Sequence, residues 1–367
     1  LGLRPGDARL KALRKRVAEE LIPELKAVGM AFAAEELDRL DDQQLADAIE
    51  QRSAAVARWK KIYWDDFIPF AHGVRRLATY YNDSVQPEDP YEFVGLLRDQ
   101  PLVAAQRNDA MDKLARQLAA NALLRSAVER LLAESAGALR WPAFRDALLQ
   151  LADGAVDFIR GFEDMNDRFL DIVYDEERLH DLPEPVLRNL VELSRAPSRV
   201  LDAAPVTGDS VSTLEKRLQD AVGPQRHDEA LDMIETGRVS WKLRDDDNLL
   251  VARLESQLLH SLDVAAKRLR EHGRLSSEAR AGVTHIKPMV RALREPSSGP
   301  ITLEGNMQAP KAELSCAPPG ETPWQLIGQP ASPGVVTGVV RCIHGHDDLG
   351  GFRQGEVLVC EAIQPTM

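Results

Sequence analysis

From Leu10 to Leu269, apolar residues recur at i, i+3, i+4 and i+7 in segment after segment. That spacing lines them up along one face of an α-helix. It predicts helices over Leu10–Val28, Leu45–Ile68, Leu102–Leu118, Leu123–Glu134 and Phe144–Phe162, with a shorter one at Val186–Leu193 between Pro185 and Pro197. Breakers are scarce over this stretch: the first 200 residues contain eight glycines. The most coherent helix is expected over Arg244–Gly273. Leu250, Leu254, Leu258, Leu262, Ala266 and Leu269 form its stripe, Asp245, Asp246 and Asp247 its first turn, Arg268, Arg270 and His272 its last turn, and Gly273 its stop. No repeat of fixed period is visible. The expected fold class is mainly α.

The character of the sequence then changes. The last 67 residues hold nine glycines and seven prolines, and the stretch 295–323, rich in Pro, Gly and Ser, reads as a linker. Two strands are expected beyond it, at Val335–Ile343 and Glu356–Ile363, joined through "HGHDDLGGFRQG" by a short helical turn and a loop. The organisation expected is therefore a helical domain over 1–294, the linker over 295–323, and a small β-rich segment over 324–367. Two strands do not make a stable domain alone, so this last segment reads as the opening of a domain that continues past Met367.

Composition excludes several classes. A net charge of −12 argues against a nucleic-acid partner, and the local basic run at Arg9–Val17 reads as a solvated helix face. No apolar run reaches the roughly 18–20 residues of a membrane span, and no signal segment opens the chain. Cys316, Cys342 and Cys360 are odd in number and widely spaced, as expected of reduced thiols in a cytoplasmic protein. The sequence carries no Gly-rich phosphate loop and no metal-spaced His/Asp cluster.

One resemblance is specific. The run Gly328, Ala331-Ser332-Pro333-Gly334, Gly338, Val340-Arg341, Asp348-Leu349, Phe352, Gly355-Glu356-Val357-Leu358-Val359 and Pro365-Thr366 resembles the start of the phosphohistidine swivelling domain. That domain belongs to the phosphoenolpyruvate-utilising enzymes (phosphoenolpyruvate synthase, pyruvate phosphate dikinase and rifampicin phosphotransferase). A long helical region ahead of it is most similar to the last of these, in which a helical domain binds the substrate. The resemblance implies an α/β swivelling-type segment and an ATP-dependent phosphotransferase. Phosphate would pass from ATP to a mobile histidine and on to a small-molecule acceptor. It implies ATP and Mg²⁺ for the full-length enzyme, bound by an ATP-grasp domain and not by this chain, and places the phosphocarrier histidine beyond Met367. His344 and His346 lie upstream of that position and read as loop residues. Over Phe158–Leu179 no Tyr-Gly-His-Arg pattern appears, so an antibiotic is not implied as the acceptor. The alternative is a non-catalytic helical binding or scaffold module.

If the helical domain holds an acceptor, two clusters could contact it. Trp59, Tyr63 and Phe67 share a helix face that Pro69 ends or kinks, and read first as an aromatic core and second as a ligand wall. His72 follows, as a buried, satisfied histidine or as a general base for a hydroxyl proton. Arg244 and Asn248 share a face with Trp241; Arg244 at a helix start suits an anionic or planar group. Asp245 reads as a helix cap, as Arg244's partner or as part of that anchor.

Overall fold

The computed structural model describes residues 8–98, 100–135, 139, 141–174, 177–195, 209–275, 281–295, 299–303, 336–343, 352–353 and 355–360. Helix α1 (Ala8–Lys15) runs through a π-helical turn at Arg16–Leu21 into α2 (Ile22–Ala34), and a short 3₁₀ turn leads to α3 (Asp42–Ile62). Asp41 starts α3 with a capping box: its side chain accepts from the Gln44 N–H while the Gln44 side chain accepts from the Asp41 N–H. A second π-helical turn at Tyr63–Phe67 passes into the single turn α4 (Ile68–Phe70), followed by α5 (Gly73–Val85).

Both π turns stand just ahead of a proline, Pro23 and Pro69. Proline has no N–H to give, and its ring crowds the carbonyl four residues back. The widened turn meets this demand: Ile22 N–H donates to Val17 O and Ile68 N–H to Tyr63 O, each five residues back. The helix therefore bulges where an ordinary ladder would have broken.

Next come α6 (Val103–Ala120), α7 (Ala122–Glu134), α8 (Trp141–Leu151) and α9 (Ala155–Met165). A third π turn at Asn166–Leu170 precedes an antiparallel hairpin, β1 (Val173–Tyr174) with β2 (Glu177–Arg178). Then follow α10 (Pro183–Arg195), α11 (Val211–Val222), α12 (His227–Glu271) and α13 (Ile286–Arg294). The last elements are two strands, β3 (Val340–Ile343) and β4 (Val357–Cys360), paired in parallel.

The spine is α12, 45 residues long and so roughly 68 Å end to end. Three cores gather on it. Toward its start, Ala230, Met233 and Ile234 pack with Leu77 and Tyr81 of α5 and with Leu214 and Leu218 of α11. Further on, Leu254, Leu258, Leu262 and Leu269 join α1–α3 and α13 in the largest core. A separate core is formed by α6–α10, touched by Leu249 and Ala252 of α12. Glycines allow α5 and α12 to meet closely. A methyl group at Gly237 would sit 2.4 Å from Leu77 Cδ2, and one at Gly73 2.6 Å from Ser240 Cβ.

The mainly α class expected from the sequence is observed, with a small parallel sheet near the C-terminus. Several boundaries differ. Phe144–Phe162 is two helices, because Gly154 takes a left-handed φ of 86° and Asn121 Nδ2 holds the Asp153 carbonyl at 2.9 Å in the break. The helix expected from Arg244 starts 17 residues earlier, at His227, with Asp228 and Glu229 in its first turn. The backbone of Asp245–Asp247 is therefore mid-helix, not at a helix start. The strands are described over Val340–Ile343 and Val357–Cys360 only, and the loop histidines His344 and His346 lie outside the described residues. Of the expected linker, residues 295 and 299–303 are described. There Ile301 N–H donates to Arg274 O at 2.9 Å, and Leu303 is buried against the largest core.

Candidate functional site

Where α1 and its π turn lie against α12, two adjoining cavities of about 270 and 400 Å³ form one groove, sharing Ala18, Glu235 and Val239. On α12 the lining falls at Glu235, Arg238, Val239, Lys242, Leu243 and Asp246. Those spacings of three and four residues describe one helix face. Opposite stand Val17, Ala18 and Ile22, with Lys11, Arg14, Lys15 and Glu19 toward the α1 end, and Gln100 and Pro101 closing the other. The π turn itself thus forms one wall, and the small Ala18 side chain leaves the space open. Val17, Ile22, Val239 and Leu243 make the floor apolar.

Most of the charges around the groove are committed to structure. Arg14 Nη1 donates to the Asp232 carbonyl at 2.8 Å and to Thr236 Oγ1 at 3.2 Å, and pairs with Asp232 Oδ1 at 2.8 Å. Lys11 lies 3.7 Å from the same carboxylate. Arg238 donates to Leu96 O at 3.0 Å and to Glu215 Oε1 at 2.6 Å. Asp246, buried, faces Lys26 Nζ at 3.5 Å, and Lys15 faces Glu19 at 3.9 Å. Among the described residues, Lys242 and Glu235 take no ion pair. The groove therefore offers an apolar floor, one uncommitted cation and one uncommitted carboxylate. That is the donor set for a small molecule with an apolar body, an anionic group near Lys242 and a hydroxyl whose proton Glu235 can accept.

The residues singled out in the sequence lie elsewhere. Trp59 and Phe67 are fully buried in the largest core, their rings 6.5 Å apart. Tyr63 packs half-buried against that core and meets Trp64 edge-on at 5.5 Å. The core reading of this aromatic stretch thus accounts for Trp59 and Phe67, which have no exposed surface to offer. His72 is exposed, not buried, in the turn that separates α4 from α5. Arg244 is exposed on α12, its backbone within a continuous helix and not at a start. Asp245 and Asn248 have helical backbone on α12, and their side chains lie outside the described residues. None of the five whose side chains are described lines the groove. Their neighbours Lys242, Leu243 and Asp246 do.

Sequence reading missed the groove because its two walls lie more than 200 positions apart. The basic run at Arg9–Val17, read as a solvated face, supplies Lys11, Arg14 and Lys15 to it. A signal was present: Asp232 is the acidic match for Lys11 and Arg14 of that run.

The described residues bring together no group of three or more His, Cys, Asp or Glu side chains able to hold a metal ion. No described helix is long and apolar enough to cross a membrane. Compared with profiles of protein families, with curated proteins and with solved structures, the chain matches none.

Proposed function

We propose that this chain is the acceptor-holding part of an ATP-dependent phosphotransferase, and that the groove between α1 and α12 holds the acceptor. The observation that carries the reading is the groove's own inventory, in which Lys242 and Glu235 are the two charges left for a ligand. Phosphoryl transfer to a hydroxyl needs that hydroxyl oriented and its proton received. A carboxylate over an apolar floor does both, while the ammonium fixes the molecule's far end. The parallel pairing of β3 with β4 supports the rest of the reading. Gly338 lies beneath the Gly355 carbonyl so closely that a methyl group there would stand 2.6 Å from it, which explains a glycine within a strand-type sequence. In this reading the swivelling carrier starts at these strands and brings phosphate to the groove. ATP and Mg²⁺ belong to other domains of the enzyme, and no step on this chain is routed through them.

The test uses the natural gene product, isolated from its own cells and incubated with Mg²⁺ and ATP labelled at the β- or the γ-phosphate. An acid-labile, alkali-stable phosphoprotein is expected. No such label would leave the scaffold reading. The groove is tested separately, by thermal shift with hydroxy-aromatic carboxylic acids: a raised Tm that Lys242→Met and Glu235→Gln both abolish supports it.

A further inference from the structure

The core formed by α6–α10 meets α12 along a seam that is apolar at Leu249 and Ala252 and polar beyond. Arg178, at the end of β2, is buried there among α12 side chains. Its Nε donates to Ser256 Oγ at 3.1 Å, its Nη2 to Asp171 Oδ1 at 3.4 Å, and its Nη1 to both oxygens of Asp181, at 3.1 and 2.9 Å. The same Nη1 lies 3.1 Å from His260 Nδ1. Asp171 in turn accepts from Ser256 Oγ and from Gln257 Nε2, each at 2.6 Å, and Arg253 Nε lies 3.8 Å from it. His180 stands between two carboxylates, with Nε2 2.9 Å from Asp167 and Nδ1 3.3 Å from Asp181.

The hydrogen bonds fix the protons. A guanidinium only donates, so His260 Nδ1 must accept, and His260 is neutral with its hydrogen on Nε2. His180 faces a carboxylate from each nitrogen and is satisfied on both sides only as the imidazolium. With those assignments, Asp167, Asp171 and Asp181 are balanced by Arg178, Arg253 and protonated His180. The cluster is electroneutral with His180 protonated and His260 neutral. A second proton would put uncompensated positive charge beside Arg178, which is itself buried and so only partly screened by water.

We propose that this cluster is a proton-operated latch: protonation of His260 releases Arg178 and with it the β1–β2 hairpin, loosening the α6–α10 unit from α12. The charged and titratable groups that act on His260 are Arg178, Asp181, Asp171 and His180; they come from just ahead of the hairpin, from β2 and from the turn after it, while α12 carries His260 itself. Arriving on Nδ1, the proton occupies the lone pair that accepted from Arg178, and the two cations then repel. The local electrostatics agree. Burial, and then the Arg178 charge, hold His260 below its ordinary value. Burial also works against protonated His180, but the hydrogen bonds to Asp181 and Asp167 outweigh it and hold His180 above its ordinary value. His260 therefore favours the closed seam above the ordinary imidazole range and loses that contribution as pH falls through its own lowered value.

Hydrogen exchange read across residues 171–182, with α3 as internal reference, tests the latch. Between about pH 7.5 and about pH 5, exchange corrected for its intrinsic rate is expected to rise roughly tenfold in the hairpin and not in α3. His260→Asn keeps an acceptor near the Nδ1 position but cannot titrate, and is expected to abolish the rise. Unchanged hairpin protection in the wild type, or an equal rise in His260→Asn, overturns the proposal. Should that variant fail to fold, an NMR titration of the wild type decides: His260 must titrate below His180, and the reverse order overturns the latch.

Discussion

The α5–α12 crossing makes one substitution change sign with position. Gly29 of α2 and Gly237 of α12 are both buried, helical and mid-element. Glycine within a helix is worth about 1 kcal/mol less than alanine, so Gly→Ala starts from that gain at either site. At position 29 the new methyl meets Arg253 Cδ at 3.4 Å and Leu254 Cδ2 at 3.9 Å, ordinary contacts. Gly29→Ala should therefore stabilise by roughly 0.5–1 kcal/mol. At position 237 it meets Leu77 at Cδ2, Cβ and Cγ, at 2.4, 3.0 and 3.2 Å. Rotating Leu77 can clear Cδ2, but its Cβ is fixed to α5, so the helices must separate. Moving them apart stretches the bond from Val74 N–H to Ser240 Oγ at 3.2 Å and that from Ser240 Oγ to Ala71 O at 3.0 Å. Overpacking of this kind costs about 1–3 kcal/mol, which exceeds the propensity gain. Gly237→Ala should destabilise by roughly 0.5–2 kcal/mol. Guanidinium unfolding followed by far-UV circular dichroism measures both against wild type, with unchanged slopes showing that the transitions are comparable. The reasoning fails if Gly237→Ala is as stable as wild type, or if the two variants shift the midpoint in the same direction.

Three further outcomes are expected. Arg52 has no exposed surface, stacks over Phe32 with its Cζ 4.6 Å from the ring centre, donates to Phe32 O at 3.0 Å and pairs with Glu35 at 2.8 Å. Arg52→Ala leaves that carbonyl with only the 3.4 Å bond from the Glu35 N–H and removes the buried partner of the Glu35 carboxylate; it should cost about 3–5 kcal/mol, with Arg52→Met less severe, as denaturant midpoints will show. Asn121 caps α7 by accepting from Leu124 N–H at 3.0 Å while its amide holds Asp153 O. Asn121→Ala should cost about 1–2 kcal/mol, read the same way, and Asn121→Asp less than that. Burial and the neighbouring Glu229 carboxylate push Tyr80 up to about 12, and burial with Glu92 pushes Tyr81 further up. Both favour the folded state below about pH 10 and lose that contribution as pH rises through their folded values. A phenolate absorbance titration should therefore show two tyrosines lagging the rest until the chain unfolds.

How much of this was legible in the sequence depended on the range of the interaction. Helices were legible because the apolar period is local, and the stripe from Leu250 to Leu269 is buried as expected, with Ala266 at 1% exposure. The π turns were not, since each adds a residue to the ladder without altering the composition around it. Pro23 and Pro69 marked two of the three places, and nothing marked the turn at Asn166–Leu170. Asp245–Asp247 misled because acidic runs favour helix starts. Here Asp246 is instead buried on a continuing helix and met by Lys26 from α2, a partner 220 positions away. The hairpin of β1 and β2, two residues per strand, is too short to leave an alternating pattern. The groove and the seam depend on which helices meet, which a local pattern does not encode.

Both regions draw on α12, in opposite ways. In the groove Lys242 and Glu235 are left uncommitted on a helix face whose other charges are paired, so occupation by a ligand completes the site. At the seam every charge named has its partner, and the cluster is complete only in one protonation state. A buried ionic cluster adds little net stability over an apolar seam, and Leu249 and Ala252 show that apolar contact was available along the same face. What the ions add is conditionality: an apolar seam has no state to lose at lower pH, whereas this one does. Asp246 and Arg253 are seven residues apart on one uninterrupted helix, about 10 Å, so the groove wall and the seam share a rigid element. A groove that holds its ligand equally well with the seam open or closed would separate the two devices. A change in its affinity with pH that His260→Asn removes would make α12 the link between them.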